Sequence, residues 1–226
     1  MLTQVGPFAR LAPGQIREIL NLAHAKRFNA GAHVFDEGVV ADRFFLLLDG
    51  YIRVIRITPQ GEQIIALHIP AGQLFGIAPA LGHSHYPATA VAAADCVVLC
   101  WPAGLWHDFV HKYEGFGPES SKTVGHRVSE MNNRIVEMAT LQVEQRIANA
   151  VLRLIQQSGR KTEEGIEIAF PITRQDLSEM TGTTLHTVSR LLSAWEKAGF
   201  VKSERRKIVV TKPHQIVLIS AGRAQG

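Results

Sequence analysis

The spacing of apolar residues changes character twice along the chain, and these changes predict three regions. After an opening helix over "PGQIREILNLAHAKRF", short apolar runs follow one another: "AHVF", "RFFLLLDG", "YIRVIRI", "QIIALHI" and "CVVLCW". Their length and their Gly, Pro or Asp boundaries predict strands. Gly31, Gly38, Gly50, Gly61, Gly72 and Gly76 fall between them, as the corners of a small β barrel or roll require. From about Ser120 to Val143 a helical period takes over: Val124, Val128, Met131, Ile135 and Met138 recur in steps of four and three, and Leu141 continues the stripe. The stripe either packs on its own domain or forms a homodimer seam. The seam is favoured, because a long connector between two compact regions must bury its apolar edge somewhere.

The third region begins within the helix "VEQRIANAVLRLIQQSG", with Ile147, Val151, Leu154 and Ile155 on one side, and passes through the strand "GIEIAFPI". Thr173 and Asp176 then have the spacing of a capping box for the short helix "RQDLSEMTG", which Gly182 ends. Thr183 or Thr184 caps a second helix whose buried face is assigned to Leu185, Val188, Leu191, Leu192 and Trp195. His186, Ser189, Arg190 and Ser193 emerge together on the other side. Two helices joined by a glycine turn, the second with polar groups near its start, match a DNA-binding helix-turn-helix. Arg190 can offer paired donors to guanine O6 and N7, Ser189 suits a base edge or a phosphate, and His186 can use a ring nitrogen. "SERRKIVVT" reads as the wing of a winged helix. Thr173, Thr183, Thr184, Arg205, Arg206 and Lys207 are the expected contacts to the DNA backbone.

Charge strengthens this reading once it is divided. Residues 1–115 carry 8 basic and 9 acidic side chains, whereas residues 116–226 carry 16 and 11, so the whole formal charge of +4 comes from the second part. A local basic surplus points to a polyanionic partner. Cys96 and Cys100 are too few for a disulfide framework and read as buried thiols on one strand. The N-terminus lacks the order of a secretory signal and no run approaches a membrane span, so a cytoplasmic location with no membrane partner is expected. No set of acid, base and nucleophile stands out, so an enzyme is not expected.

The stretch "ITRQDLSEMTGTTLHTVSRLLSAWEKAGFV", with the glycine-punctuated β region and the long helix, strongly resembles the CRP/FNR superfamily of transcription regulators. The resemblance implies an α+β chain: a cyclic-nucleotide-binding-like β-roll over 1–115, a dimerisation helix over 116–143, and a winged helix-turn-helix over 144–226. It also implies a homodimer on two-fold symmetric, palindromic double-stranded DNA, with RNA polymerase as a further partner. The family's usual reading pattern is Glu, two residues, then Ser-Arg. Here His186 replaces the glutamate, and it cannot repeat a charged contact to cytosine N4. "HTVSR" most resembles the nitric-oxide and nitrite-related NnrR group, which implies control of nitrogen-oxide genes.

The sensor departs from the cyclic-AMP pattern. In "PAGQLFGIAPALGHSHYPATAV", Ile77 stands where the ribose-binding glutamate would be, and Tyr86 with Pro87 replaces the phosphate-binding Arg-Ser pair. Cyclic nucleotide is therefore not expected, and two cysteines cannot supply a four-cysteine Fe-S cluster. Phe75, Ile77, His83, His85 and Tyr86 are the candidate effector-pocket residues. The nitric-oxide-responsive relatives leave haem open as a cofactor, because imidazole suits iron, with no histidine singled out. The competing reading is a ligand-binding or protein-interaction module whose DNA-binding domain is vestigial.

Overall fold

The structure, a computed structural model, describes residues 5–223. The chain divides into two compact units, one running to Arg56 and resuming over Ala66–Met131, the other joining Ile57–Ile65 to the residues from Asn132 onward.

The first unit opens with helix α1 (Pro13–Asn21) and continues through β1 (His24–Phe28), β2 (His33–Phe35), β3 (Arg43–Asp49), β4 (Tyr51–Ile57), β5 (Gln63–Pro70), β6 (Leu74–Phe75), β7 (Thr89–Ala92) and β8 (Cys96–Pro102). Two antiparallel sheets result, in the orders β1-β8-β3-β6 and β2-β7-β4-β5, and together they make the expected roll. Helix α2 (Leu105–Lys112) follows and leads into α3 (Phe116–Thr140). An aromatic cluster holds the helices to the sheet: Phe44 stacks on Trp101 at 5.4 Å and meets Trp106 edge-on at 5.1 Å, with Phe109 and Phe116 packed beside them. Trp101 is fully buried and donates its indole N–H to the Ile19 carbonyl at 2.9 Å, so its polar atom is satisfied.

The opening helix is shorter than the sequence suggests. It stops at Asn21, and His24–Phe28 is a strand paired with β8 from His24↔Cys100 to Phe28↔Cys96. This is an edge strand whose first four residues are exposed, so no apolar alternation marks it. Backbone pairing overrides the helix propensity of Ala-Lys-Arg. Cys96 and Cys100 point into the roll as free, buried thiols.

The second unit contains α4 (Val143–Ser158), β9 (Gly159–Thr162), β10 (Gly165–Ile168), α5 (Arg174–Thr181), α6 (Leu185–Lys197), β11 (Val201–Glu204), β12 (Lys207–Val210) and α7 (Pro213–Ser220). Its sheet order is β11-β12-β10-β9. Val143 opens α4 rather than closing α3. Gln142 is the cap residue, and its N–H donates to the Gln145 side chain at 3.0 Å.

The α3 stripe does not behave as one surface. Val124 packs on the aromatic core of its own roll, whereas Val128, Met131, Ile135 and Met138 are exposed, Ile135 to 64%.

Candidate nucleic-acid interface and sensor cavity

The turn between α5 and α6 is built by local chemistry. Thr173 caps α5: its hydroxyl accepts the Asp176 N–H at 3.0 Å, while the Asp176 carboxylate accepts the Thr173 N–H at 2.7 Å. The box predicted from the sequence is therefore present, and it commits the Thr173 hydroxyl to the helix. Gly182 adopts φ +59°, a left-handed conformation that glycine enters without a Cβ penalty. Thr184, not Thr183, caps α6, accepting the Thr187 N–H at 3.2 Å, while the Thr183 N–H donates to the Ser178 carbonyl at 3.3 Å.

Val188, Leu192 and Trp195 bury one side of α6. Leu185 does not join them. It is 45% exposed, because the first turn of the helix runs past the end of the core. It stands in the open with His186 and Arg190, and Ser189 is half-buried. Ser193 is turned inward toward Arg174.

That arginine is the centre of a network the sequence does not reveal. It sits in the first turn of α5 and donates to the Glu196 carboxylate at 3.3 Å, to the Ser203 hydroxyl at 2.9 Å and to the Ser193 hydroxyl at 3.4 Å. Glu196 also accepts the Ser203 N–H at 3.0 Å and the Ser203 hydroxyl. One guanidinium thus ties α5, α6 and β11 together. A basic residue in the first turn of a helix opposes the helix dipole, and that mismatch is the one signal that could have exposed it.

The wing is the hairpin of β11 and β12, with Arg205 and Arg206 exposed at its tip. The Arg206 carbonyl accepts the Ile172 N–H at 3.2 Å, anchoring the tip to the segment before α5. Lys207 is less available than the sequence suggests, since it pairs with Glu167 at 3.2 Å.

In the first unit a cavity of about 300 Å³ opens against α3. Phe75, Ile77 and Tyr86 are in its wall, and Phe35 stacks on Tyr86 at 3.8 Å. Gly76 is also in the wall, and its φ of +63° and the 2.8 Å that would separate a Cβ from the Phe45 ring both favour glycine there. His83 and His85 are not in it. Both are exposed, on the loop that carries the chain from the Ala78–Leu81 turn to β7, and His85 bonds its neighbour Ser84 at 2.9 Å. From α3 the wall takes Val124, Arg127, Val128 and Met131.

Residues 25–113 match the cyclic nucleotide-binding domain, and residues 145–217 match the Crp-like helix-turn-helix domain. The chain is similar over 220 residues to the CRP-like cAMP-activated global transcriptional regulator of Mycobacterium tuberculosis, at 19% identity and covering 96% of each chain. It is 24% identical over 201 residues to electron transport regulator A of Shewanella oneidensis, covering 88% of this chain and 79% of that one. The structure of FixK2 from Bradyrhizobium japonicum has the same fold, with a TM-score of 0.77 at 18% identity over 87% of this chain and 96% of that chain. This protein belongs to the CRP/FNR superfamily.

As a CRP/FNR regulator it is a DNA-binding protein and not an enzyme. Among its described residues no helix is long and apolar enough to cross a membrane.

The match to the cyclic nucleotide-binding domain raises that ligand for the cavity beside α3. A cyclic nucleotide needs polar partners for its ribose hydroxyls and base as well as a cation for its phosphate; Arg56 and Arg127 are cations in this wall, but Ile77 and Pro87, at the positions the resemblance gives to nucleotide partners, offer nothing to the hydroxyls. The Tyr86 hydroxyl is already spent, donating to the Arg43 carbonyl at 2.7 Å, and burial pushes the phenol up to about 12. The wall does not fit that ligand. Haem fits no better. No histidine is among the residues of its wall, so the cavity offers haem iron no imidazole.

Proposed function

We propose that this protein is a homodimeric regulator that reads a two-fold symmetric DNA site with the exposed start of α6 and controls genes of nitrogen-oxide metabolism. The observation that carries the DNA reading is the pairing of His186 and Arg190, exposed on a helix whose other side is buried, with a wing that presents Arg205 and Arg206. Arg190 and His186 would read base edges beside Ser189, while the wing arginines and the cap of α6 would meet phosphates. The exposed α3 residues Val128, Met131, Ile135 and Met138 support the dimer, since a partner helix would remove them from water. RNA polymerase would be engaged from the bound dimer. The nitrogen-oxide role rests on "HTVSR" alone.

Genome-wide recovery of bound DNA tests both halves. The expected motif is a palindrome with half-sites about one helical turn, roughly 34 Å, apart. Lack of symmetry in the motif would remove the dimeric reading, and lack of nitrogen-oxide genes nearby would remove the physiological one. On the recovered site, Arg190→Ala should flatten base preference at one position per half-site. Arg206→Ala, which removes one phosphate contact from each protomer, should weaken all sequences alike and lower the salt slope by about 2. Identical behaviour of the two variants would refute this division of roles.

A further inference from the structure

The cavity beside α3 is apolar except at two points. Of the charged side chains in its wall, Arg56 is matched by Glu37, with 2.7 Å between guanidinium and carboxylate. Arg127 is different. It donates to the Leu74 carbonyl at 2.6 Å and to the Gln73 side-chain oxygen at 3.3 Å, and both acceptors are neutral. A guanidinium has five N–H donors, so these two bonds leave donors unused. Burial pushes Arg127 down to about 10, with Glu130 opposing through space, so the group is charged at neutral pH and has lost part of its hydration. Glu130 and the two hydrogen bonds offset part of the cost of holding that charge, and an anion in the cavity would offset more of it.

We propose that this cavity binds a small organic monoanion with an apolar body, such as an alkyl or aryl carboxylate, its carboxylate on Arg127 and its body against Phe75, Ile77 and Tyr86. The volume, about 300 Å³, lies at the lower end of small-molecule sites. A neutral hydrophobe would fill the same space but leave Arg127 further desolvated, with Glu130 offsetting its charge only through space. A dianion would bring one charge more than the wall can match, since Arg56 already has its partner. A polar ligand would strand its hydroxyls against Ile77 and Pro87. A carboxylate on the Nη1 donors of Arg127 meets both demands, with a charge-assisted bond at one end and apolar contact at the other, because the bonds to Leu74 and Gln73 both come from Nη2. The binding claim stands on the cavity, whereas its regulatory meaning rests on the DNA-binding reading above: the ligand would brace the stretch of α3 that carries Val128 and Met131.

Equilibrium dialysis of the full chain against octanoate, octanol and cyclic AMP tests this directly. Octanoate should bind at least about tenfold more tightly than octanol. Arg127→Met should bring octanoate to the level of octanol, Arg127→Lys should keep part of the preference, and Ala88→Leu, which fills the cavity, should weaken both. Thermal unfolding of each variant checks that it folds, and the lysine and leucine variants keep the test decisive if the methionine variant does not. Equal binding of octanol and octanoate, an unchanged octanoate affinity in Arg127→Met, or tighter binding of cyclic AMP than of octanoate would overturn the proposal. Because dialysis contains no DNA, its failure leaves the DNA reading standing, and failure to find an operator leaves the dialysis result standing.

Discussion

Replacing Arg174 with methionine keeps most of the side chain's length and removes five donors from the junction of α5, α6 and β11. The Arg174–Glu196 pair is about one-third exposed on each side, at 32% and 28%, so it lies between two regimes. Exposed ion pairs contribute roughly 0–1 kcal/mol, and breaking a fully buried pair costs about 3–5 kcal/mol. Arg174 also serves Ser193 and Ser203, while Glu196 keeps its bonds to Ser203 after the change. The expected loss is therefore about 1.5–2.5 kcal/mol, with about 1 kcal/mol of coupling to Glu196→Gln in a double-mutant cycle. Urea unfolding followed by fluorescence suits the measurement, because Trp195 is on α6 while Trp101 and Trp106 belong to the other unit. The same variant should bind its operator less tightly, because the recognition helix loses its tie to the wing, yet keep the salt slope of the wild type. Coupling below about 0.5 kcal/mol would refute the network. A salt slope smaller by about 2, one phosphate per protomer, would show that Arg174 meets a phosphate instead.

Three further outcomes follow from other parts of the molecule. Leu185 is exposed at the start of α6 and in the proposed DNA complex would meet a thymine methyl, so uracil in place of thymine at one position per half-site should weaken wild-type binding by about 0.5–1 kcal/mol and leave Leu185→Ala unaffected; equal sensitivity in both would remove that contact. Thr173→Ala should lower stability by about 1–2 kcal/mol and Thr173→Ser should restore most of it, in denaturant titrations, since the capping box needs only the hydroxyl. The Tyr86 phenol titrates later in the folded chain, at about 12, than in the unfolded one, at about 10, so its contribution is complete below pH 10 and is lost as pH rises to 12. The stability difference between wild type and Tyr86→Phe should accordingly shrink by roughly 2–3 kcal/mol across that window, and a constant difference would contradict the burial of the phenol.

What could be read in the sequence depended on how much of each signal was local. The capping box of Thr173 and Asp176, the turn at Gly182 and the period of α6 are set within a few residues, and each is where its spacing places it. Strand β1 is hidden because its partner lies about seventy residues away and its exposed side chains carry no alternation. Leu185 was misplaced because helical phase fixes the direction of a side chain but not where the core beneath it ends. His83 and His85 suited metal chemistry by type, yet their loop holds them outside the cavity. Arg127 shows the opposite case: nothing local distinguishes it from a solvated helix arginine, and its position in the cavity wall follows only from the packing of α3.

Val128 and Met131 line the cavity and at the same time stand half-exposed on the apolar edge of α3. Any substitution at either one is pleiotropic, altering the room for a ligand and the surface for a partner in a single step. Val54, Ala66 and Ala88 touch the cavity from the strand side and carry no such double burden. A lineage changing its effector while keeping its dimer would therefore accumulate replacements in the sheet first, and the two α3 positions would be the last to drift.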